Sequence, residues 1–241
     1  MTEALTLTVA GSARIGETPV LPSVELAVTG GAWTCLLGPS GVGKTTLLRL
    51  IAGIADEADF EGRIAASDGR SLRGRVALMA QSDLLLPWLS TRENVLLGAR
   101  LRGERPDRTR ADALLDRVGL SSHARKRPDA LSGGQRQRAA LARTLMEDRP
   151  VVLLDEPFSA LDAATRAEMQ TLAACLLRGR TVLIVTHDPA EAARLGDAIF
   201  VLSESGIRAA PVPDSPPPRA VDDPETLRMQ GSLMSQLCAA P

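Results

Sequence analysis

The sequence predicts an α/β protein: a parallel-sheet core, an antiparallel β piece near the N-terminus and an inserted helical block. Three observations carry this. Short apolar runs at 33–37 (WTCLL), 151–154 (VVLL), 181–185 (TVLIV) and 198–202 (AIFVL) have the length and continuity of strands buried on both faces. Helical spacing lies between the later runs, the order that builds a parallel sheet. From about 92 to 149 the pattern is helical throughout, with Gly and Pro breaks.

Taken in order, the LTLTVA run near the start of the chain and VELAV at 24–28 alternate or run apolar and read as strands. The strand WTCLL runs into a Gly-rich turn. TTLLRLIAGI at 45–54 has helical spacing and ends near Gly53. IAA at 64–66 and RVALM at 75–79 read as strands around the turn-prone SDGRS. Three helical segments follow, TRENVLLGARLRG, RTRADALLDRVGL and QRQRAALARTLMED. The stretch 211–224 (PVPDSPPPRAVDDP) is Pro-rich and reads as extended, and 225–240 has the makings of one short helix.

Composition narrows the function classes. The 241 residues suit one large domain or two small ones. Charged residues are 24% and hydrophobic ones 44%, which excludes wholesale disorder. A net charge of −1 lacks the basic excess of a nucleic-acid binder, so none is expected as a partner. No apolar run is long enough to span a membrane. The N-terminus carries Glu3 and no basic residue before Arg14, a poor match to a signal peptide. Cys35, Cys175 and Cys238 are too scattered for a disulfide framework or a metal site, which suits a reducing compartment. Only two of the 28 basic residues are lysines, Lys44 and Lys126. Where arginine has taken almost every other cationic position, a retained ammonium asks for a reason.

Lys44 has one. Gly38-Pro39-Ser40-Gly41-Val42-Gly43-Lys44-Thr45 fits G-x-x-x-x-G-K-[ST] and lies between a predicted strand and a predicted helix. Such a loop curls successive backbone N–H groups around phosphate oxygens, and the helix that starts at Thr45-Thr46 adds its positive end. Lys44 can bridge the β- and γ-phosphates, and the Thr45 hydroxyl can ligate Mg2+. A second signal is VVLL ending in Asp155-Glu156. An acid at such a strand end holds Mg2+ in phosphate-loop ATPases, which leaves Glu156 to orient or deprotonate water. The third is Leu131-Ser132-Gly133-Gly134-Gln135, opening a basic helix. It is another helix N-terminus suited to an anion. One nucleotide and two anion sites pose a puzzle.

These motifs, with Gln81 in MAQSD, Asp162 in SALD and His187 in VTHD, resemble the ATPase subunit of an ATP-binding cassette (ABC) transporter over about residues 4–206. Lys44 is followed after 37 residues by Gln81, then after 51 by Ser132, 23 by Asp155 and 32 by His187. The resemblance implies a phosphate-loop NTPase core with an antiparallel β subdomain and a helical insert at about 85–150; the residues beyond it, 207–241, read as a Pro-rich tail. It implies ATP and Mg2+ as cofactors, with Thr45, Gln81 and Asp155 toward the metal. It also resolves the puzzle. In that family two copies pair head to tail, which implies that Ser132 and Gly134 of one reach the ATP held on the loop of the other. Glu156 would be the general base, His187 would contact the γ-phosphate, Gln81 would contact metal and attacking water, and Asp162 would couple the two sites. Implied partners are integral membrane permease subunits and, indirectly, a periplasmic or surface solute-binding protein. The implied place is the cytoplasmic face of the cell membrane.

The run Leu84-Leu85-Leu86-Pro87-Trp88 after Gln81 resembles the importer subgroup for nitrate, sulfonates, taurine or thiamine-pyrimidine precursors, and marks a region where the membrane subunit docks. Packing of Trp88 inside the helical block is the other reading. The aromatic residue that family members place ahead of the phosphate loop to stack on adenine has no counterpart; its position falls near Ile15. Lys126, in HARKRPDA, reads as part of a solvated basic run. The alternative function is a non-transport ABC ATPase, for example of the iron–sulfur assembly type. The 88 residues between Lys44 and Ser132 hold no heptad run or cysteine cluster of the kind repair ATPases insert there.

Overall fold

The computed structural model describes residues 4–239 and divides into two units. The first takes in residues up to 78, 150–156 and 178 onward; the second takes in 79–149 and 157–177.

The first unit holds two sheets. β1 (Leu7–Ile15) pairs antiparallel with β2 (Thr18–Val28) and with β4 (Asp59–Ala66), giving the order β2-β1-β4. Alternation sets its inner face: Leu7, Val9 and Ala13 from β1, and Leu21, Val24, Leu26 and Val28 from β2, are buried. The six-stranded sheet has the order β5-β6-β7-β3-β8-β9. Its strands are β3 (Trp33–Leu37), β5 (Val76–Met79), β6 (Val151–Asp155), β7 (Thr181–Thr186), β8 (Ala198–Ser203) and β9 (Gly206–Ala210). β3, β6 and β7 are parallel and buried along their whole length, as the continuous apolar runs predict. Helix α1 (Lys44–Ala52) puts Leu47, Leu48 and Ile51 into the core shared by the two sheets. It stops at Gly53, whose left-handed backbone lets its N–H reach the carbonyls of Arg49 and Leu50.

Several elements differ from the expected ones. β1 continues beyond the LTLTVA run to Ile15, and β4 starts at Asp59 rather than at 64. The reason is Gly11 opposite Gly62. A Cβ on Gly11 would stand 2.4 Å from the Glu61 carbonyl oxygen, so both strands lose alternation where their backbones press together. β9 lies outside the expected strands; it pairs antiparallel with β8 and extends the sheet past residue 206.

The Pro-rich segment is tied down at Arg219. Its guanidinium is buried and donates to the carbonyls of Ala193, Gly196, Pro213 and Ser215. Ala193 and Gly196 lie at the C-terminal end of α7 (Pro189–Leu195), where a cation also meets the negative helix end. Burial lowers the Arg219 pKa, with Asp197 the first charge opposing that shift. Helix α8 (Pro224–Ala239) follows, with Leu233 fully buried.

The second unit is helical: α2 (Thr91–Val95), α3 (Leu97–Leu101), α4 (Arg108–Arg117), α5 (Gly133–Met146) and α6 (Ala163–Leu176), with 3-10 turns at Ser121–His123 and Pro128–Ala130. The first predicted helix is broken in two at Leu96. Among the described residues no helix is long and apolar enough to cross a membrane.

Candidate active site

The phosphate loop occupies the turn from β3 to α1, as the motif requires. Gly43 has φ 103°, and a Cβ there would stand 2.3 Å from the Val20 carbonyl oxygen. Any side chain at 43 would push the loop off β2. Lys44 folds back over the loop: its Nζ donates to the Gly38 carbonyl at 2.8 Å and to Pro39 at 2.7 Å. It is 6% exposed. Burial lowers its pKa, opposed by the charges of Glu156 and Asp155. A desolvated ammonium held by two neutral carbonyls still favours a closer negative charge, and an anion in the loop would supply it.

Asp155, the last residue of β6, is buried. Burial raises its pKa; the Thr45 hydroxyl, which donates to it, works the other way, and Glu156 adds to the rise. A carboxylate whose charge burial disfavours, beside a hydroxyl from the phosphate loop, is a donor set suited to a hard divalent cation. Glu156 follows with φ 47°, left-handed for a non-glycine residue, and its N–H donates to the Val185 carbonyl at 3.0 Å. Such strain persists where the surroundings enforce it, and it turns the side chain out of the strand register. The carboxylate meets His187: Nδ1 lies 3.0 Å from Oε1. The Glu156 side chain is 12% exposed and that of His187 55%, so the pair forms a shielded acid under an open imidazole. The first unit therefore brings together the loop 38–45, Thr46 at the start of α1, Asp155, Glu156 and His187.

Gln81, Ser132, Gly133, Gly134, Gln135 and Asp162 belong to the second unit. Ser132 caps α5 in a reciprocal box: its Oγ accepts from the Gln135 N–H at 3.3 Å, and Gln135 Oε1 accepts from the Ser132 N–H at 2.9 Å. The N–H groups of Gly133 and Gly134 in the first turn are outside this box. A Cβ on Gly134 would stand 3.1 Å from Leu161 Cδ2, so the SALD segment packs against the signature turn. Asp162 caps α6 by accepting from the Thr165 N–H at 3.1 Å, and this bond lowers its pKa. Gln81 is exposed just after β5.

Sequence reasoning missed what holds the loop after Gln81. The helix α5 reads as basic and amphipathic, but its arginines turn onto backbone. Arg143 donates to the carbonyls of Leu84 and Asp83 at 2.7 and 2.6 Å, and burial lowers its pKa. Arg136 pairs with the Asp83 carboxylate at 3.0 Å, and Asn94 braces the Leu86 N–H at 2.7 Å. Leu84 is held at φ 48°. The braced loop presents Trp88 64% exposed, so Trp88 is no part of the helical core. Ile15 ends β1 beside the tight turn to Thr18 and is 43% exposed. Lys126 is exposed, and its carbonyl accepts from the N–H and the hydroxyl of Thr91.

Residues 21–159 match the family model for ABC transporters. An ABC transporter ATP-binding protein of Haemophilus influenzae is 43% identical over 221 residues, 89% of this chain and 90% of that protein. The aliphatic sulfonates import ATP-binding proteins SsuB 1 of Rhodococcus jostii and SsuB 2 of Paracoccus denitrificans are 47% and 42% identical, over 80% and 95% of this chain and 77% and 90% of theirs. Among solved structures, the ATP-binding cassette MJ0796, a dimer in a post-hydrolysis state bound to ADP and Pi, superposes with a TM-score of 0.76. It is 30% identical and covers 88% of this chain and 100% of that one. With the loop, the acidic strand end and the signature helix in the family's order, the chain belongs to the ABC transporter family, as an ATP-binding and ATP-hydrolysing subunit of the importer type.

Proposed function

We propose that this ATPase energises uptake of an aliphatic sulfonate through a membrane permease, from the cytoplasmic face of the membrane, as a dimer of two copies. The observation that carries hydrolysis is the Glu156–His187 pair, 3.0 Å apart, in the same unit as the buried Lys44 and Asp155. The sulfonate reading rests on the import proteins named above and on the LLPW run, which is also why transport is preferred to the iron–sulfur assembly alternative.

In this reading the loop N–H groups of Gly38, Ser40, Gly41, Val42 and Gly43 cradle the phosphates, and Pro39, which has no N–H, stiffens the turn. Lys44 exchanges its two carbonyl partners for phosphate oxygens, which gives a buried cation an ionic partner. Thr45 and Asp155 would hold Mg2+, which when bound neutralises charge on the β- and γ-phosphates. Glu156 takes the proton from the attacking water, and His187 holds the carboxylate in place while its exposed face meets the γ-phosphate. Thr46 adds a hydroxyl at the helix start. Ser132, Gly133, Gly134 and Gln135 of the second copy close over the same phosphate, and Asp162 sits where the two sites communicate. ATP hydrolysis would then open the dimer and move the permease. A solute-binding protein would supply the sulfonate from outside.

The test of the substrate is reconstitution with the cognate permease and solute-binding protein. ATP-dependent accumulation of an alkanesulfonate in proteoliposomes is expected, and accumulation of nitrate but no sulfonate would overturn the substrate assignment.

The permease contact has its own test. Trp88→Ala should leave turnover of the isolated chain within about twofold, because exposed side chains rarely contribute more than ~0.5 kcal/mol to the fold. Capture of the permease in detergent should weaken by about thirtyfold or more, the usual loss when an aromatic anchor worth ~2 kcal/mol leaves an interface. Unchanged capture would remove Trp88 from the contact.

A further inference from the structure

Gln135 ends the LSGGQ run, and the two ends of its side chain do different things. Oε1 accepts from the Ser132 N–H at 2.9 Å and closes the box that starts α5. The amide nitrogen therefore faces the other way, and it lies 3.2 Å from Nε2 of His123. Chemistry decides the roles. An amide nitrogen only donates, so His123 Nε2 must offer its lone pair. The imidazole proton then sits on Nδ1, and the Ser122 Oγ, 2.9 Å away, accepts it. The reverse amide orientation would set donor against donor at Ser132. One imidazole tautomer thus selects one Gln135 orientation, and that orientation caps the helix.

His123 is itself well held. It closes the 3-10 turn Ser121–His123, where its N–H donates to the Leu120 carbonyl at 2.9 Å and the Ser121 hydroxyl donates to Asp116 at 2.7 Å. Just beyond, the carbonyls of Ala124 and Lys126 accept from the N–H groups of Arg92 and Thr91, the first residues of α2. The signature turn has less of its own to rely on. Gly133 and Gly134 in succession make a soft helix start, which must be ordered before its N–H groups can meet a phosphate.

We propose that His123 is a positioning residue for the signature motif: by accepting the Gln135 amide it holds Ser132, Gly133 and Gly134 ready for the ATP of the second copy. The proposal rests on the composite-site reading above. His123 reaches no phosphate; it acts through Gln135.

The test uses the full chain in a Glu156→Gln background, where ATP-bound dimers accumulate. His123→Leu fills the space without an acceptor. His123→Gln restores an acceptor oxygen near the position of Nε2. Three quantities are read: the protein concentration at half-dimerisation with ATP and Mg2+, the affinity of the monomer for a fluorescent ATP analogue, and the melting temperature. His123→Leu should raise the half-dimerisation concentration about tenfold, the equivalent of a weak net hydrogen bond at each of two sites. His123→Gln should stay within about twofold of the parent. Monomer affinity and melting temperature should be unchanged in both, since Lys44 and its loop lie in the other unit. Parental dimerisation of His123→Leu, or a Gln variant no better than Leu, overturns the proposal. So does a matching fall in melting temperature or monomer affinity, which would make His123 an ordinary structural residue. Ser132→Arg in the same background is the control on the underlying reading. If it too dimerises normally, the composite site is wrong; if it fails to dimerise while His123→Leu does not, only the role of His123 is wrong.

Discussion

Glu156→Gln should bind ATP, turn it over at least about a hundredfold more slowly, and collect as a dimer in ATP and Mg2+. The size of the loss follows from the proposed role: general bases contribute roughly 10²–10⁴-fold. The substitution keeps the volume, and an amide can hold a hydrogen bond to His187 as the carboxylate does at 3.0 Å. What it cannot do is take a proton from water. Because residue 156 keeps its left-handed backbone at φ 47° in either form, the strain is the same and the fold should be unaffected. Lys44 and the phosphate loop are intact, so nucleotide affinity should remain near the parental value. The closed pair forms and then lacks the step that opens it. Size-exclusion chromatography with and without ATP reads the dimer, and phosphate release reads turnover. Parental turnover would remove Glu156 from the chemistry and leave the strained carboxylate without a function.

Much of this site was legible because phosphate chemistry demands fixed residue types at fixed spacings. A loop that wraps a phosphate needs its glycines, its lysine and the strand and helix on either side, and all appear between Trp33 and Ala52. The buried parallel strands were legible for a similar reason: continuous apolar runs have few other uses. Other features depend on partners that no local pattern announces. The far half of β1 and the first half of β4 lose their alternation to the close approach of Gly11 and Gly62. Arg219, Arg136 and Arg143 look like surface charge in the chain, yet each spends its donors on backbone carbonyls or on a carboxylate 53 residues away. His123, 12 residues ahead of Gln135 and outside every motif, could be found only once the 3-10 turn had placed it beside the signature helix. The position of Trp88 was ambiguous for the opposite reason. An apolar run in a loop is compatible with burial or with a partner, and only the bracing of that loop by Arg143 and Asn94 shows the indole left outside.

Mixing two inactive variants should restore ATPase activity, and this is the sharpest consequence of the proposal that each ATP is held by the loop of one copy and the signature turn of the other. Lys44→Ala removes the ammonium that lies 2.8 and 2.7 Å from the loop carbonyls, and with it the cation proposed for the β- and γ-phosphates. Ser132→Arg puts a long side chain at the cap of α5 and removes the hydroxyl that accepts from the Gln135 N–H, leaving only the backbone half of the box. Loss of a cap of this kind costs roughly 1 kcal/mol locally, too little to unfold the unit but enough to spoil the signature turn. Each homodimer then has two damaged sites, and each variant alone should fall at least about a hundredfold in turnover, as removal of a transition-state charge contact does. In the mixed dimer the lesions are distributed differently. One composite site takes its loop from the Lys44→Ala chain and its signature from the Ser132→Arg chain, and carries both. The other takes an intact loop from the Ser132→Arg chain and an intact signature from the Lys44→Ala chain. That site is whole and should fire, provided one site can fire alone. If the two chains pair at random at equal concentrations, half of the dimers are mixed, and recovery of up to about a quarter of parental turnover is expected from one good site in half the dimers, against near zero for either variant by itself. Pairing of the two chains is checked independently with differently tagged copies. If tagged mixed dimers form and still release no phosphate, loop and signature do not meet in trans, or one intact site cannot work without the other. A covalently linked dimer with a single Lys44→Ala lesion separates these outcomes: substantial turnover there, with none in the mixed pair, would rule out the head-to-tail arrangement.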